Sequence, residues 1–134
     1  MIEASHQIRV RYAETDKMGY VYYGNYAMYF EVARVELFRS RGVSYKQMED
    51  EGVMMPVLEH KTKYIRPAKY DDLLTIKTKI KEMPSVRVTF EYEVYNEKGE
   101  LLTIADTTLV FVDMKSGRPT QPPHYFEKIL DENI

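Results

Sequence analysis

The chain has 134 residues, of which 44% are hydrophobic and 30% charged, and its formal net charge is −2. This size and composition fit a single globular domain over residues 1–134 and exclude a disordered or fibrous protein. Acidic and basic residues are interspersed without a basic patch, which argues against nucleic acid as a partner, and the absence of cysteine excludes disulfides, a thiolate nucleophile and a zinc site built on sulfur.

The first predicted element is a strand. Residues 6–11 alternate between apolar and polar side chains, which predicts an extended segment with Ile8 and Val10 on the same face. Residues 13–19 follow, and they include Asp16 and Gly19, which disfavour regular structure. We therefore expect a loop after the first strand.

A long helix is predicted next. Residues 24–41 contain no proline and no internal glycine, and their apolar residues recur at helical spacing. Gly42 is placed to end the helix, and Asn25 is a candidate N-terminal cap. A short second helix is expected over residues 44–51.

The second half of the chain has the pattern of a sheet. In residues 74–80 and 86–94 apolar and polar side chains alternate, which indicates two strands with one buried and one hydrated face. The predicted strands span residues 55–66, 74–80, 86–94 and 101–112, with a hairpin turn at 96–99 and a last short helix after Pro122 and Pro123. A strand, a long helix and four strands in a meander form an α+β arrangement in which a curved sheet wraps the helix.

No common nucleotide-binding, metalloprotease or serine-hydrolase motif is present, and the three histidines of the chain are too scattered to suggest a metal site. The remaining candidate is Asp16, on the loop that leads into the long helix. The free N–H groups and the dipole at a helix N-terminus stabilise negative charge. A substrate carbonyl placed there can become an oxyanion while Asp16 acts on the carbonyl carbon or on a water. The alternative is that Asp16 is only a turn residue.

The segment before the helix carries a family resemblance. Residues 11–26 read R-Y-x-E-T-D-x-x-G-x-V-x-x-x-N-Y, and Glu31, Arg34 and Glu36 follow on the predicted helix. Together with residues 64–72, this pattern resembles the 4-hydroxybenzoyl-CoA thioesterase family of hotdog proteins over essentially the whole chain. The resemblance implies a hotdog fold, in which a five-stranded antiparallel sheet is wrapped around a long central helix. It also implies a homodimer or homotetramer with active sites at the subunit interface, and no metal or organic cofactor.

The resemblance assigns roles to individual residues. Asp16 matches the family's catalytic aspartate, as nucleophile or general base. The backbone amides of Tyr23 and Gly24 match the helix N-terminus that polarises the thioester carbonyl. Some relatives carry histidine where this chain has Tyr23, so a mechanism that requires that histidine is in doubt here.

Substrate-binding residues are predicted on the helix and near strand ends. Glu31 is a second candidate carboxylate, because a helix glutamate is catalytic in another hotdog branch; the alternative is an ion pair or hydrogen bond with Arg34 or a tyrosine hydroxyl. Coenzyme A carries phosphates, and cations lie where relatives bind the nucleotide, namely Lys81, Arg87, Lys115 and Arg118. Surface solvation is the alternative explanation for each cation.

Other polar and aromatic features are assigned no chemistry. Glu14, Asp71 and Asp72 are interpreted as charges at a loop or strand end that orient the chain. Five neighbouring tyrosines are interpreted as part of the core or of a subunit interface, with contact to a ligand as the alternative, and these are Tyr20, Tyr22, Tyr23, Tyr26 and Tyr29.

The predicted function is hydrolysis of an acyl-coenzyme A thioester to a free acid and coenzyme A. The alternatives are acyl carrier protein as the leaving group, a non-catalytic hotdog module that binds acyl-CoA, and a hotdog dehydratase, for which no suitably placed histidine is found. No signal peptide and no membrane span are visible in the sequence, so a cytoplasmic enzyme is expected.

Overall fold

The computed structural model describes residues 2–130, and its largest element is a five-stranded antiparallel sheet. The sheet strands are β1 (Ile2–Arg9), β3 (Val57–Tyr64), β4 (Leu73–Ile80), β5 (Arg87–Tyr95) and β6 (Leu101–Val110), in the spatial order β1-β4-β5-β6-β3. A separate ribbon pairs β2 (Val53–Met54) with β7 (Val112–Asp113). The helices are α1 (Tyr26–Ser40), α2 (Tyr45–Asp50) and α3 (Phe126–Leu130).

The sheet wraps around α1 and buries one face of each central strand. In β4 and β5 every second side chain is buried, because side chains of a strand alternate between the two faces of the sheet. From the helix side, Phe30 stacks on Tyr92 with ring centroids 4.3 Å apart, and Phe38 packs edge-on against Phe90 at 5.6 Å. The α+β hotdog arrangement is therefore confirmed.

The helix predictions hold, apart from one cap. A 3₁₀ turn (Tyr23–Asn25) precedes α1, and Gly42 ends the helix with a φ of 83°, which favours glycine. The predicted cap by Asn25 is wrong, because Asn25 itself has helical dihedral angles and its side chain donates to the carbonyl of Glu14 at 2.8 Å. Ser44 does cap α2, accepting from the N–H of Gln47 at 3.0 Å. No helix within residues 2–130 is long and apolar enough to cross a membrane.

The strands lie close to their predicted positions, but the four-strand meander is wrong. Strands β4, β5 and β6 follow one another in the sheet, whereas β3 pairs with β6 at the far edge and β1 pairs with β4. Hydrogen bonds between Val10 and residues 71–72 hold the end of β1 beside the start of β4. Alternation along a strand shows which face is buried but does not show which strand lies next to it.

Candidate functional site

Asp16 lies in a tight loop between β1 and α1. Its backbone N–H donates to the carbonyl of Tyr20 at 2.8 Å, and its carboxylate oxygen Oδ1 accepts from the N–H groups of Met18 at 2.9 Å and Tyr20 at 3.3 Å. Gly19 has a φ of 78°, a backbone conformation that favours glycine. Within residues 2–130, Oδ2 of Asp16 accepts no hydrogen bond. One carboxylate oxygen thus fixes the loop, and the other is available to a substrate or a water.

The start of α1 presents two backbone donors. In the described part of the chain, the N–H groups of Tyr23 and Gly24 make no hydrogen bond to another protein group. A Cβ at Gly24 would lie 2.7 Å from the ring of Tyr22, so the absence of a side chain allows that ring to pack against the backbone. These unpaired donors at a helix N-terminus can stabilise a negatively charged oxygen.

A pocket of about 340 Å³ contains the Asp16 side of this arrangement. Its wall is largely apolar and aromatic, with Asp16 as its single acidic and Arg66 as its single basic residue, and the full lining is Asp16, Met18, Tyr20, Val21, Tyr23, Tyr26, Tyr64, Ile65, Arg66 and Pro67. The rings of Tyr26 and Tyr64 meet edge to face at 5.1 Å. Asp16 and Tyr23 thus share one pocket, whereas Gly24 follows Tyr23 but does not line it. No group of three or more histidine, aspartate or glutamate side chains in residues 2–130 is arranged to hold a metal ion.

The other predicted carboxylate lies elsewhere. Glu31 is exposed on α1 and is not part of the wall around Asp16 within one chain. The alternative ion pair between Glu31 and Arg34 is not formed either. The Nη1 of Arg34 donates to the hydroxyl of Tyr92 at 2.9 Å, and no ion pair of Arg34 with a carboxylate occurs among the described residues. A role for Glu31 in substrate binding therefore stays a prediction.

The predicted cations fall into two groups. Lys81 and Arg87 line a second pocket of about 380 Å³ at the turn between β4 and β5, and Lys81 pairs with Glu91 at 3.2 Å. Lys115 and Arg118 are exposed on the turn after β7 and do not line this pocket. The structure thus brings Lys81 and Arg87 together but not Arg118, and their contact with a nucleotide stays a prediction.

Sequence reasoning missed Arg66, the cation that borders the pocket of Asp16. Arg66 donates to Glu100 at 2.5 Å and precedes Pro67 just after β3. The available signal was its position in residues 64–72, the second segment that carries the family resemblance. The pattern of apolar and polar residues around Arg66 would not have identified it as a site residue, because exposed arginines are common at strand ends.

Glu14 differs most from its interpretation as a loop charge. Only 5% of its surface is exposed, and its carboxylate accepts hydrogen bonds from the backbone N–H of Arg11 at 2.8 Å, the Arg11 guanidinium at 2.9 and 3.1 Å, and the Tyr29 hydroxyl at 2.8 Å. Burial raises the pKa of Glu14, but these hydrogen bonds outweigh burial and hold the pKa below its usual 4.5. Glu14 is therefore a buried, ionised carboxylate at neutral pH.

Residues 10–130 of the chain match the family model of the thioesterase-like superfamily. The acyl-CoA thioester hydrolase YbgC of Escherichia coli is 33% identical over 116 residues, which cover 87% of each chain. The structure of DHNA-CoA thioesterase from Staphylococcus aureus is 38% identical, with a TM-score of 0.89 over 96% of this chain and 86% of that one. A mutant of 4-hydroxybenzoyl-CoA thioesterase complexed with 4-hydroxybenzoyl-CoA is 25% identical, with a TM-score of 0.86 over 96% of this chain and 99% of the other.

Proposed function

The chain belongs to the thioesterase-like superfamily and is an acyl-coenzyme A thioester hydrolase, and we propose that Asp16 is its catalytic carboxylate. The observation that carries this proposal is the pocket of about 340 Å³ that contains both Asp16 and Tyr23 at the start of α1. Thioester hydrolysis needs a group that delivers the attack on the carbonyl carbon and a site that stabilises the resulting oxyanion. Asp16 and the helix N-terminus are suited to these two tasks.

The proposed oxyanion site consists of the N–H groups of Tyr23 and Gly24. They have no acceptor within residues 2–130, and the dipole of the long helix α1 adds a partial positive charge at the same place. Preorganised donors of this kind contribute roughly 3–4 kcal/mol to the stabilisation of the transition state. Since only the backbone takes part, a tyrosine at position 23 serves as well as a histidine.

Two routes use the carboxylate of Asp16. In the first, Oδ2 attacks the thioester carbonyl, the carbon–sulfur bond breaks and the thiolate departs. The acyl group is then bound to Asp16 as an anhydride, which water hydrolyses. In the second, Asp16 takes a proton from a water that attacks the same carbon. Single-turnover hydrolysis in oxygen-18 water distinguishes the second route from a first route in which water opens the anhydride at the carboxyl carbon of Asp16. Only in that case does the first product molecule carry an oxygen from Asp16, whereas the second route gives it an oxygen from water.

The aromatic wall of the pocket is proposed to hold the acyl group. Tyr26 and Tyr64 provide flat apolar surfaces next to Asp16, and Met18 and Ile65 extend this surface at the rim. The pantetheine and nucleotide parts of coenzyme A must leave through the open side. Contacts of these parts with Lys81, Arg87 and Arg118, and a role for Glu31 in substrate binding, stay predictions.

We further propose that the chain works as a homodimer or homotetramer. Strand β3 is an edge of the sheet, and it and the residue that follows it expose apolar side chains, with exposed fractions of 54% for Val57, 51% for Leu58 and 45% for Ile65. An unpaired edge with exposed apolar side chains is suited to pairing with a second copy. Since Ile65 also lines the pocket of Asp16, that copy would border the site. A stable monomer at micromolar concentration in sedimentation equilibrium would contradict this proposal.

The decisive experiment replaces Asp16 by Asn and measures thiol release from a panel of acyl-CoA substrates. Asn keeps the oxygen that accepts from Met18 and Tyr20, so the loop is retained while charge and basicity are lost. We expect kcat to fall by about 10²-fold or more with little change in KM. The matched control is Asp71→Asn, an exposed aspartate with a φ of 69°, which Asn tolerates. If Asp16→Asn turns over its best substrate as fast as the control does, Asp16 is only a turn residue and Glu31 becomes the next candidate.

Two further statements stay proposals. The family model covers residues 10–130, which supports one thioesterase domain over residues 1–134. A cytoplasmic location stays a proposal that comes from the sequence. Comparing an acyl-CoA with the same acyl group on acyl carrier protein would test the leaving group.

A further inference from the structure

Glu14 connects the loop of Asp16 to the helix that carries the proposed oxyanion site. Its carboxylate accepts from the hydroxyl of Tyr29, a fully buried residue in the first turn of α1. Its backbone carbonyl accepts from the N–H of Tyr22 at 2.9 Å and from the side chain of Asn25 at 2.8 Å. Tyr22 precedes the 3₁₀ turn before α1, and Asn25 is the last residue of that turn. One residue thus makes three hydrogen bonds to the start of the helix, and it lies two positions before Asp16.

The remaining hydrogen bonds of Asp16 act within its own loop. Its N–H and Oδ1 bond to Met18 and Tyr20, which fixes the carboxylate relative to residues 16–20 only. The loop is also connected across its base by a bridge between Thr15 and Val21. None of these contacts reaches Tyr29 or the body of α1. Among the hydrogen bonds of residues 2–130, the one from Tyr29 to the side chain of Glu14 therefore joins the loop to the helix itself.

We propose that Glu14 is a positioning residue, which holds the Asp16 carboxylate at a fixed distance from the N–H groups of Tyr23 and Gly24 through its bonds to Tyr29, Tyr22 and Asn25. This inference rests on the proposed function. Attack and oxyanion stabilisation take place on the same carbonyl group, so the distance between the two groups must match one substrate geometry. A misplacement of about 1 Å can cost about 10²-fold in rate.

The arrangement also explains why a carboxylate is needed at this position. Arg11 supplies a backbone and two guanidinium donors from one side, and Tyr29 supplies its hydroxyl from the other. Burial and the Glu14 acceptor raise the pKa of Tyr29, so its hydroxyl keeps the proton that it donates. An ionised acceptor strengthens all four hydrogen bonds, and a neutral amide could satisfy only part of them.

A double-mutant cycle tests positioning against a merely structural role. The variants are Tyr29→Phe, Asp16→Asn and both together, with Tyr92→Phe as the matched control. Tyr92 is another buried tyrosine that packs against α1. Its hydroxyl accepts from Arg34 at 2.9 Å and donates to Thr107 at 3.0 Å, and neither partner belongs to the Asp16 loop. Each variant is assayed for kcat and KM by thiol release, well below its unfolding midpoint.

We expect Tyr29→Phe to lower kcat by about 10-fold or more while KM changes little, and to have no further effect when Asp16 is already Asn. Tyr92→Phe should leave kcat close to the wild-type value. Three outcomes would overturn the positioning role. Tyr29→Phe could lower kcat equally in the wild type and in Asp16→Asn, it could lower kcat no more than Tyr92→Phe does, or it could leave kcat unchanged.

The cycle keeps this inference separate from the proposed function. Wild-type turnover by Asp16→Asn refutes the catalytic role of Asp16, whatever Tyr29→Phe does. A large loss in Asp16→Asn with an additive loss in Tyr29→Phe refutes only the positioning role. Glu14→Gln is a second test of the same kind, and its loss of kcat should likewise not add to that of Asp16→Asn. If Glu14→Gln does not fold, the test rests on Tyr29→Phe.

Discussion

Two charged side chains are buried at α1, and they differ in how many hydrogen bonds they make. Arg34 belongs to the helix, and Glu14 lies beside it in the loop of Asp16. Glu14 accepts four hydrogen bonds and lies beside the guanidinium of Arg11. Arg34 is 7% exposed, yet its guanidinium makes a single hydrogen bond, to Tyr92, and its Nε has no partner among the described residues. The first charge is fully satisfied within one chain, whereas the second is not.

The Arg34 region is a chain of polar groups through the core. The hydroxyl of Tyr92 donates to Thr107 at 3.0 Å, and the hydroxyl of Thr107 lies 2.8 Å from the Nδ1 of His60 on the edge strand β3. Burial lowers the pKa of Arg34, but the hydroxyls of Tyr92 and Tyr45 more than offset this effect and keep the guanidinium charged. The ring of Phe90 lies 6.0 Å from the guanidinium and adds a cation–π contact.

The difference indicates where the fold requires a precise geometry. A carboxylate with four donors has one low-energy position, and it holds the Asp16 loop in that position. A guanidinium that makes one hydrogen bond is compatible with several packings. That bond offsets only a small part of the free energy needed to desolvate the charge. We therefore expect substitutions of these two residues to have opposite consequences.

The largest expected effect is on the free energy of unfolding. Glu14→Gln should lower this free energy by roughly 1.5–3 kcal/mol, because a neutral amide replaces the charged acceptor of four buried hydrogen bonds. Arg34→Met, which keeps length and removes the charge, should change it by less than about 1 kcal/mol or raise it. Urea unfolding of both variants checks the comparison. A greater loss of unfolding free energy in Arg34→Met than in Glu14→Gln would show that the hydrogen bonds around Arg34 stabilise the fold more than those of Glu14.

The pH dependence of the Glu14 region should be the next largest effect. The pKa of Glu14 in the folded protein lies below its usual 4.5, so its contribution to stability is present above that value and is lost as the pH falls through the folded pKa. The difference in unfolding free energy between wild type and Glu14→Gln should thus be constant near neutral pH and shrink below about pH 4.5. Arg34→Met should leave this difference unaltered when it is introduced into both proteins. A difference that persists undiminished into acid would contradict the assignment.

The smallest expected effect is on His60. Burial lowers the pKa of His60 below its usual 6.5, and the positive charge of Arg34 lowers it further. Removing that charge by Arg34→Met should raise the pKa, but not to 6.5, because burial remains. NMR titration of the His60 ring in the two proteins measures the shift, and the Glu14→Gln protein serves as the control with no change expected. An unchanged pKa in Arg34→Met would place the guanidinium too far from His60 to act on it.

Much of the fold could be predicted from local patterns. Alternation in β4 and β5 and the helical spacing of apolar residues in α1 depend only on which face each side chain occupies, and the period of the sequence alone encodes that property. The position of β3 at the far edge could not be predicted, because partner choice depends on contacts between residues far apart in the chain. For the same reason Asn25 was expected to cap a helix, although its side chain is drawn to the carbonyl of Glu14.

The sequence by itself determined that a carboxylate, Asp16, lies on a loop before a long helix, since turn residues and helical spacing are local properties. Only the tertiary structure decided that this carboxylate shares a pocket with Tyr23, that Arg66 borders it, and that Glu14 is buried rather than exposed. Glu14 and Tyr29 are 15 positions apart, and Tyr64 and Tyr26 are brought together by the wrapping of the sheet around α1. Burial and hydrogen bonding depend on such distant neighbours, and a one-dimensional pattern does not contain them.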